Sequence, residues 1–113
     1  MASSRDFLEY VLDQLSRLSE ITYKPMMGEF IIYYQGKIIG GIYDDRLLVK
    51  PTESARRLMP EAPLEAPYPG AREMLLVQEV DSRQLLEELF EALAAELPQP
   101  ETSRKRKVKG KEG

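Results

Sequence analysis

Three consecutive β-prone runs, Phe30–Tyr34, Lys37–Tyr43 and Arg46–Lys50, are separated by spacers of only two residues each. That spacing constrains the fold more than any other feature of the chain. A two-residue spacer is the commonest hairpin connection, and it makes neighbouring strands antiparallel, because a parallel return needs a crossover of about a dozen residues or more. In the spacer Gln35-Gly36, glycine takes up positive φ readily, whereas Asp44-Asp45 is a weaker hairpin signal that leaves its turn type open. The three runs predict an antiparallel meander. Ile21-Thr22-Tyr23 is a candidate fourth strand, which Pro25 is expected to end.

The strands are apolar on both alternating faces. Phe30, Ile32 and Tyr34 alternate with Ile31 and Tyr33, Ile39 and Tyr43 with Ile38 and Ile42, and Leu47 and Val49 with Leu48. A sheet with one face in water alternates apolar with polar residues, so this one calls for cover on both faces. Helices supply one cover. The other requires a loop or a second subunit.

The flanking segments read as helices. Ser4 is an N-cap candidate, and Phe7, Leu8, Val11, Leu12, Leu15 and Leu18 form one apolar stripe, predicting a helix to about Ser19. Thr52 caps a short helix, Glu53 to Met59, which Pro60 stops. Pro60, Pro63, Pro67, Pro69 and Gly70 mark an extended connection, and Met74 to Val77 is a further strand candidate. Asp81 with Gln84 reads as a capping box for a last helix carrying Leu85, Leu86, Leu89, Phe90, Leu93, Ala94 and Leu97, stopped by Pro98 and Pro100. The expected fold class is α+β in two layers: an antiparallel sheet of a three- or four-stranded meander plus one or two further strands, packed by N- and C-terminal helices.

Charge divides the chain in two. Residues 101–113 carry six basic and two acidic residues, while residues 1–100 are acidic, so the overall net charge of −3 hides an acidic body and a basic tail. The domain is placed at residues 1–98. Residues 99–113 lack apolar periodicity and are expected to be a disordered tail. A body of about 100 residues buries a limited share of its surface, which makes dimerisation a natural supplement.

The chain of 113 residues contains no Cys, His or Trp. That removes Cys and His nucleophiles and bases, the Ser-His-Asp triad, disulfides and the usual structural zinc sites. The longest apolar run, Phe30–Tyr34, is far short of the roughly 20 residues needed to cross a bilayer. Arg5, Asp6, Glu9 and Asp13 interrupt the N-terminal apolar positions, unlike a secretory leader. A cytoplasmic protein without membrane partner, cofactor or metal is expected.

Few residues are left as candidate sites. Gly40-Gly41, inside a strand, reads as a bulge or a close backbone approach. Asp44 and Asp45 read first as turn residues; with Glu29 or Glu79 they would form an oxygen site for a hard cation. Lys24-Pro25-Met26-Met27-Gly28-Glu29 is the least ordinary stretch, and its methionines suit either an adaptable binding surface or gap filling beneath the sheet edge. Arg104, Lys105, Arg106 and Lys107 are able to contact phosphates, but no aromatic residue accompanies them to stack on bases.

The pattern Lys24, Met26, Gly28, Gly36-Lys37, Gly40, Asp44-Asp45 and Lys50 resembles the N-terminal domain of TfoX/Sxy proteins, bacterial regulators linked to natural competence. Met27 stands where that family commonly has Phe, and Glu29 where it commonly has a second Gly. The resemblance extends over roughly residues 4–97 and points to Lys24, Met26, Met27, Gly28, Gly36, Gly40, Gly41, Asp44, Asp45 and Lys50 as motif or interaction positions. It implies a fold like that of type III secretion chaperones, often dimeric, and no enzyme activity. Longer relatives carry a helical C-terminal domain, which this chain is expected to lack. The expected function is therefore a regulatory or adaptor domain working through protein contacts, with transcription as its setting. The alternative is a nucleic-acid-associated accessory protein that uses the basic tail.

Overall fold

The computed structural model describes residues 3–98. Helix α1 (Arg5–Gln14) leads into strands β1 (Ile21–Met26), β2 (Glu29–Tyr34), β3 (Lys37–Ile42) and β4 (Leu47–Val49). Helix α2 (Glu53–Leu58), the short strands β5 (Leu64–Glu65) and β6 (Met74–Leu76), and helix α3 (Arg83–Glu96) follow. The six strands form one antiparallel sheet in the order β1-β2-β3-β4-β6-β5. The expected α+β architecture is thus the observed one. Among the described residues no helix is long and apolar enough to cross a membrane.

All three helices contribute to one core against one face of the sheet. Leu8, Val11 and Leu15 from the first helical segment join Leu86, Leu89, Phe90 and Leu93 of α3 over Phe30, Ile32, Ile39, Ile42, Leu47 and Val49. Burying a side chain of this size contributes about 1.5–3 kcal/mol, so this layer supplies most of the stability. Caps close the helix starts: Ser4 Oγ accepts the N–H of Phe7, and Thr52 Oγ1 that of Ala55.

Four details differ from the sequence reading, each for an identifiable reason. Helix α1 ends at Gln14 rather than near Ser19, because the following residues tighten into i→i+3 turns (Ser16 to Asp13, Leu18 to Leu15) and Glu20 reverses the chain at φ 63°. The N-cap of α3 is Ser82, not Asp81; its hydroxyl accepts the N–H of Leu85 at 3.3 Å.

Strand β1 runs through Pro25, which pairs opposite Phe30. The hairpin closes on Met26 and Glu29, and Gln35 N–H reaches Glu20 O, so alternate residues Glu20, Thr22, Lys24 and Met26 direct their backbone groups toward β2. Pro25 falls on the intervening set, at the free edge, where the N–H it lacks would have had no ladder partner.

The fourth difference changes which residues face the core. The β2–β3 register slips so that Ile32 pairs with Gly40 but Tyr33 with Ile38, leaving Ile39 as a bulged residue. Ile39 and Ile42 consequently both enter the core, whereas Tyr43 lies on the opposite face against Gly41 and Tyr68. The simple alternation of Ile39 with Tyr43 is thereby overturned.

The face away from the helices has two halves. Over β4 and the end of β3, the segment Ala66–Gly70 folds back, and Leu48 is fully buried and Tyr43 only 8% exposed. Arg46 anchors this flap through Glu65 at 2.8 Å and the carbonyl oxygens of Ala66 and Pro67. Over β1, β2 and the start of β3 nothing in the described chain lies on the face. Ile31 and Tyr33 are half-buried there, and Ile38 is 40% exposed.

Candidate functional site

The motif residues occupy the turns and crossings of the meander. All three hairpins use two-residue turns with both central residues at positive φ: Met27-Gly28 (53°, 86°), Gln35-Gly36 (55°, 80°) and Asp44-Asp45 (54°, 55°). These are type I′ turns, whose twist matches that of the strands they join. Gly28 and Gly36 hold the positions where a Cβ is least welcome, and aspartate tolerates the left-handed region better than most residues.

The Asp44-Asp45 turn is also a clasp for the N-terminus. Asp45 Oδ1 accepts the N–H of Ser4 at 2.7 Å, and Asp45 N–H donates to Ser3 Oγ at 3.1 Å. Ser3 Oγ donates to Glu29 Oε1 at 2.5 Å, and Asp44 N–H donates to the same oxygen at 3.1 Å. Ser3 N–H reaches Gly28 O at 3.0 Å. Two hairpin ends and the start of α1 are therefore held in one network. Here the Asp45 and Glu29 carboxylates serve backbone and hydroxyl donors, and Asp44 takes part through its backbone N–H. Among the described residues no group of three or more acidic residues is arranged to hold a metal ion.

The neighbouring motif residues are structural in the same sense. Lys37 Nζ donates to Ala94 O at 2.6 Å and Leu97 O at 3.2 Å, satisfying the carbonyl end of α3. A Cβ at Gly40 would sit 2.0 Å from Leu48 O and 2.7 Å from Val49 Cα. At Gly41 it would sit 2.6 Å from Phe30 O and 2.7 Å from a ring carbon of Tyr43. Both glycines permit close approach of backbone or ring. Lys50 donates its backbone N–H to Ile39 O at 3.0 Å, which satisfies the carbonyl of the bulged residue.

Subtracting these roles leaves Lys24, Met26 and Met27 without a structural partner that explains them. Met27 is 96% exposed at the hairpin tip, and Met26 is 36% exposed. Neither methionine fills a gap beneath the sheet edge. Lys24 Nζ lies 5.8 Å from the ring centroid of Tyr33, a cation–π contact on the open half of the sheet. Arg104, Lys105, Arg106 and Lys107 lie outside the described residues.

A groove of about 360 Å³, lined by Glu29, Asp44, Arg46, Ala66, Pro67, Tyr68 and Pro69, adjoins the clasp. Sequence reasoning missed it, since its walls come from segments some 20 residues apart and no spacing rule links them. Tyr43 stands beside it, its ring 6.4 Å from that of Tyr68. Burial first, then Tyr68 and Glu29, push the Tyr43 hydroxyl above the usual phenol range.

The sheet and its clasp define a class of protein: a small α+β scaffold whose signature residues build the architecture and whose exposed remainder faces outward. The chain belongs to the TfoX N-terminal domain family, whose model matches residues 13–96. It is also 31% identical over 110 residues to an uncharacterized 12.7 kDa protein in the trpE 5′ region of Spirochaeta aurantia, covering 96% of this chain and 95% of that one. No solved structure matches it.

Proposed function

We propose that this chain is a non-enzymatic regulatory or adaptor domain that acts through protein–protein contacts as a cytoplasmic homodimer. The observation that supports the reading best is the open half of the sheet, where Ile31, Tyr33 and Ile38 lie beside Lys24 and the exposed Met26-Met27 tip. An apolar face of this kind, rimmed by a flexible side chain such as methionine, suits protein contact. Transcription is the setting that the resemblance to TfoX/Sxy regulators suggests, and in this reading the domain spans residues 1–98, with the family match over residues 13–96 as its support. Light scattering on the full chain at high micromolar concentration tests the assembly: a dimer is expected, and a strict monomer removes the homodimer.

A second reading rests on the six cations of residues 101–113. In it the tail engages phosphate backbones without reading sequence. DNA binding by the full chain is then expected to exceed that of a chain ending at Pro100. Equal binding by the two, or none by either, removes this reading.

A further inference from the structure

Strand β1 is the outermost strand of the sheet and pairs only with β2. Glu20, Thr22, Lys24 and Met26 direct their backbone groups to that pairing, so Ile21, Tyr23 and Pro25 direct theirs outward. Among the described residues, the N–H and C=O of Ile21 and Tyr23 have no hydrogen-bond partner. Such an edge invites a further strand, and proteins blunt it with lysine and proline. Here Lys24 and Pro25 blunt the C-terminal half, since Pro25 has no N–H to donate. The half from Ile21 to Tyr23 keeps every donor and acceptor.

The second observation is what lies beside that half. After Gln14, helix α1 gives way to i→i+3 turns, and a groove of about 480 Å³ opens between this segment and β1. Leu12, Leu15 and Leu18 line it from the helical side, and Ile21 and Tyr23 from the strand. Glu20 is its one charged lining residue. Neither Glu20 nor Lys24 has an ion-pair partner among the described residues. The unpaired backbone and the apolar groove therefore meet on the same two residues, Ile21 and Tyr23.

We propose that this edge and groove bind one extended segment of a partner protein, added to the sheet as an antiparallel strand beside Ile21–Tyr23. Its backbone exchanges hydrogen bonds with Ile21 and Tyr23. Side chains directly opposite share a face, and Ile21 and Tyr23 pack toward the core, so the partner residues opposite them are apolar and enter the groove. The residue opposite Glu20 is basic, and the one opposite Lys24 is acidic. Along the partner strand the order is acidic, apolar, any residue, apolar, basic.

Residues 20–24 themselves read Glu-Ile-Thr-Tyr-Lys, so a second copy is the competing occupant. The homodimer proposed above uses the open face, and a two-fold dimer closes through one such surface per subunit. The edge is then left to a different chain. The inference thus rests on the adaptor reading and supplies the chemistry of the partner. Its test reads the β1 edge and not the assembly, so either can fail alone.

The probe is the peptide acetyl-Ser-Glu-Val-Thr-Val-Lys-amide, titrated to millimolar concentration into the isotope-labelled full chain and followed by amide chemical shifts. Saturating shifts are expected at Leu18, Ile21 and Tyr23, and none at Gly70 on the opposite face. The same peptide with both valines N-methylated lacks the two donors and is expected to leave these amides unmoved. Exchanging its Glu and Lys is expected to weaken binding about 3- to 10-fold, since two exposed ion pairs become two repulsions. Absence of saturation, equal binding by the N-methylated peptide, or equal binding by the exchanged one overturns the proposal. Without peptide, the Ile21 and Tyr23 shifts are expected to be independent of protein concentration. Shifts that grow with concentration place a second copy on the edge and overturn the partner assignment.

Discussion

Asp45 and Ser4 lie 41 positions apart, and the carboxylate of the first accepts the backbone N–H of the second at 2.7 Å. Through this bond a hairpin turn fixes the N-cap of α1, so the meander and the first helix are positioned together. Asp45→Ala removes the acceptor and places alanine at φ 55°. The expected loss is about 1–2 kcal/mol from the hydrogen bond and about 1 kcal/mol from left-handed backbone, measured by urea unfolding. Asp45→Asn, which tolerates that backbone and keeps an acceptor, is expected to lose less than half as much. Equal losses in both variants would show that the clasp contributes nothing specific.

Lys37→Met keeps the apolar stem and removes the ammonium that reaches Ala94 O and Leu97 O. The expected cost is about 1–2 kcal/mol, because the last carbonyls of α3 lose a charged donor. Amide hydrogen exchange should rise in the last turn of α3 and not in α1. Uniform change across the protein would contradict the capping role.

Met27→Asn is expected to stabilise the fold by about 1 kcal/mol, since asparagine suits a type I′ turn and the exposed methionine gives up no packing. A natural chain that keeps Met there carries local strain at an exposed position, as interaction sites do. A thermal melt decides it: a lower Tm in the variant would mean that Met27 packs in the free protein.

Gly40→Ala places a Cβ 2.0 Å from a backbone oxygen that has no room to yield. Overpacking of this sort costs about 1–3 kcal/mol or more. Urea unfolding of Gly40→Ala should show that loss, and wild-type stability would mean that β3 and β4 separate freely.

Acid stability has a defined sign. The Arg17 hydrogen bond, then its charge, holds the Glu87 carboxyl below its ordinary value of 4.5, and hydrogen bonds from Ser54 do the same for Glu96. A depressed folded pKa gives stability that is present above the unfolded value and lost as pH falls through the folded one. Between neutral pH and 5 these two groups should leave Tm level, with a decline beginning below about 4.5. The double variant Glu87→Gln, Glu96→Gln should flatten that decline, and an unchanged slope would assign it to other groups. Both side chains meet water, so added salt should shrink the effect of Glu87 in particular.

The sheet was legible because two-residue spacers admit few topologies, and the meander, its hairpins and the flanking helices follow from spacing and caps. Gly40-Gly41 signalled a bulge or a close backbone approach, and the structure has both there; what the spacing did not show was that Ile39 is the bulged residue, so the faces assigned to Ile39 and Tyr43 were misread. Pro25 was misread because its effect depends on whether its missing N–H faces a neighbour or an edge, which only the register decides. Among the candidate site residues, Asp44, Asp45, Gly36 and Gly40 were readable as turn and crossing positions. The Glu29–Asp44–Tyr68 groove was invisible, since it is assembled from strand, turn and flap.

The open half of the sheet carries the account's central claim, that this domain works by contact with another protein surface. Sedimentation velocity of the full chain beside Ile38→Glu tests it most directly, since Ile38 is already 40% exposed and its replacement spares the core. The account predicts a dimer for the full chain and a folded monomer for Ile38→Glu. A full chain that stays monomeric at high micromolar concentration, or a dimer that Ile38→Glu leaves intact, would contradict it.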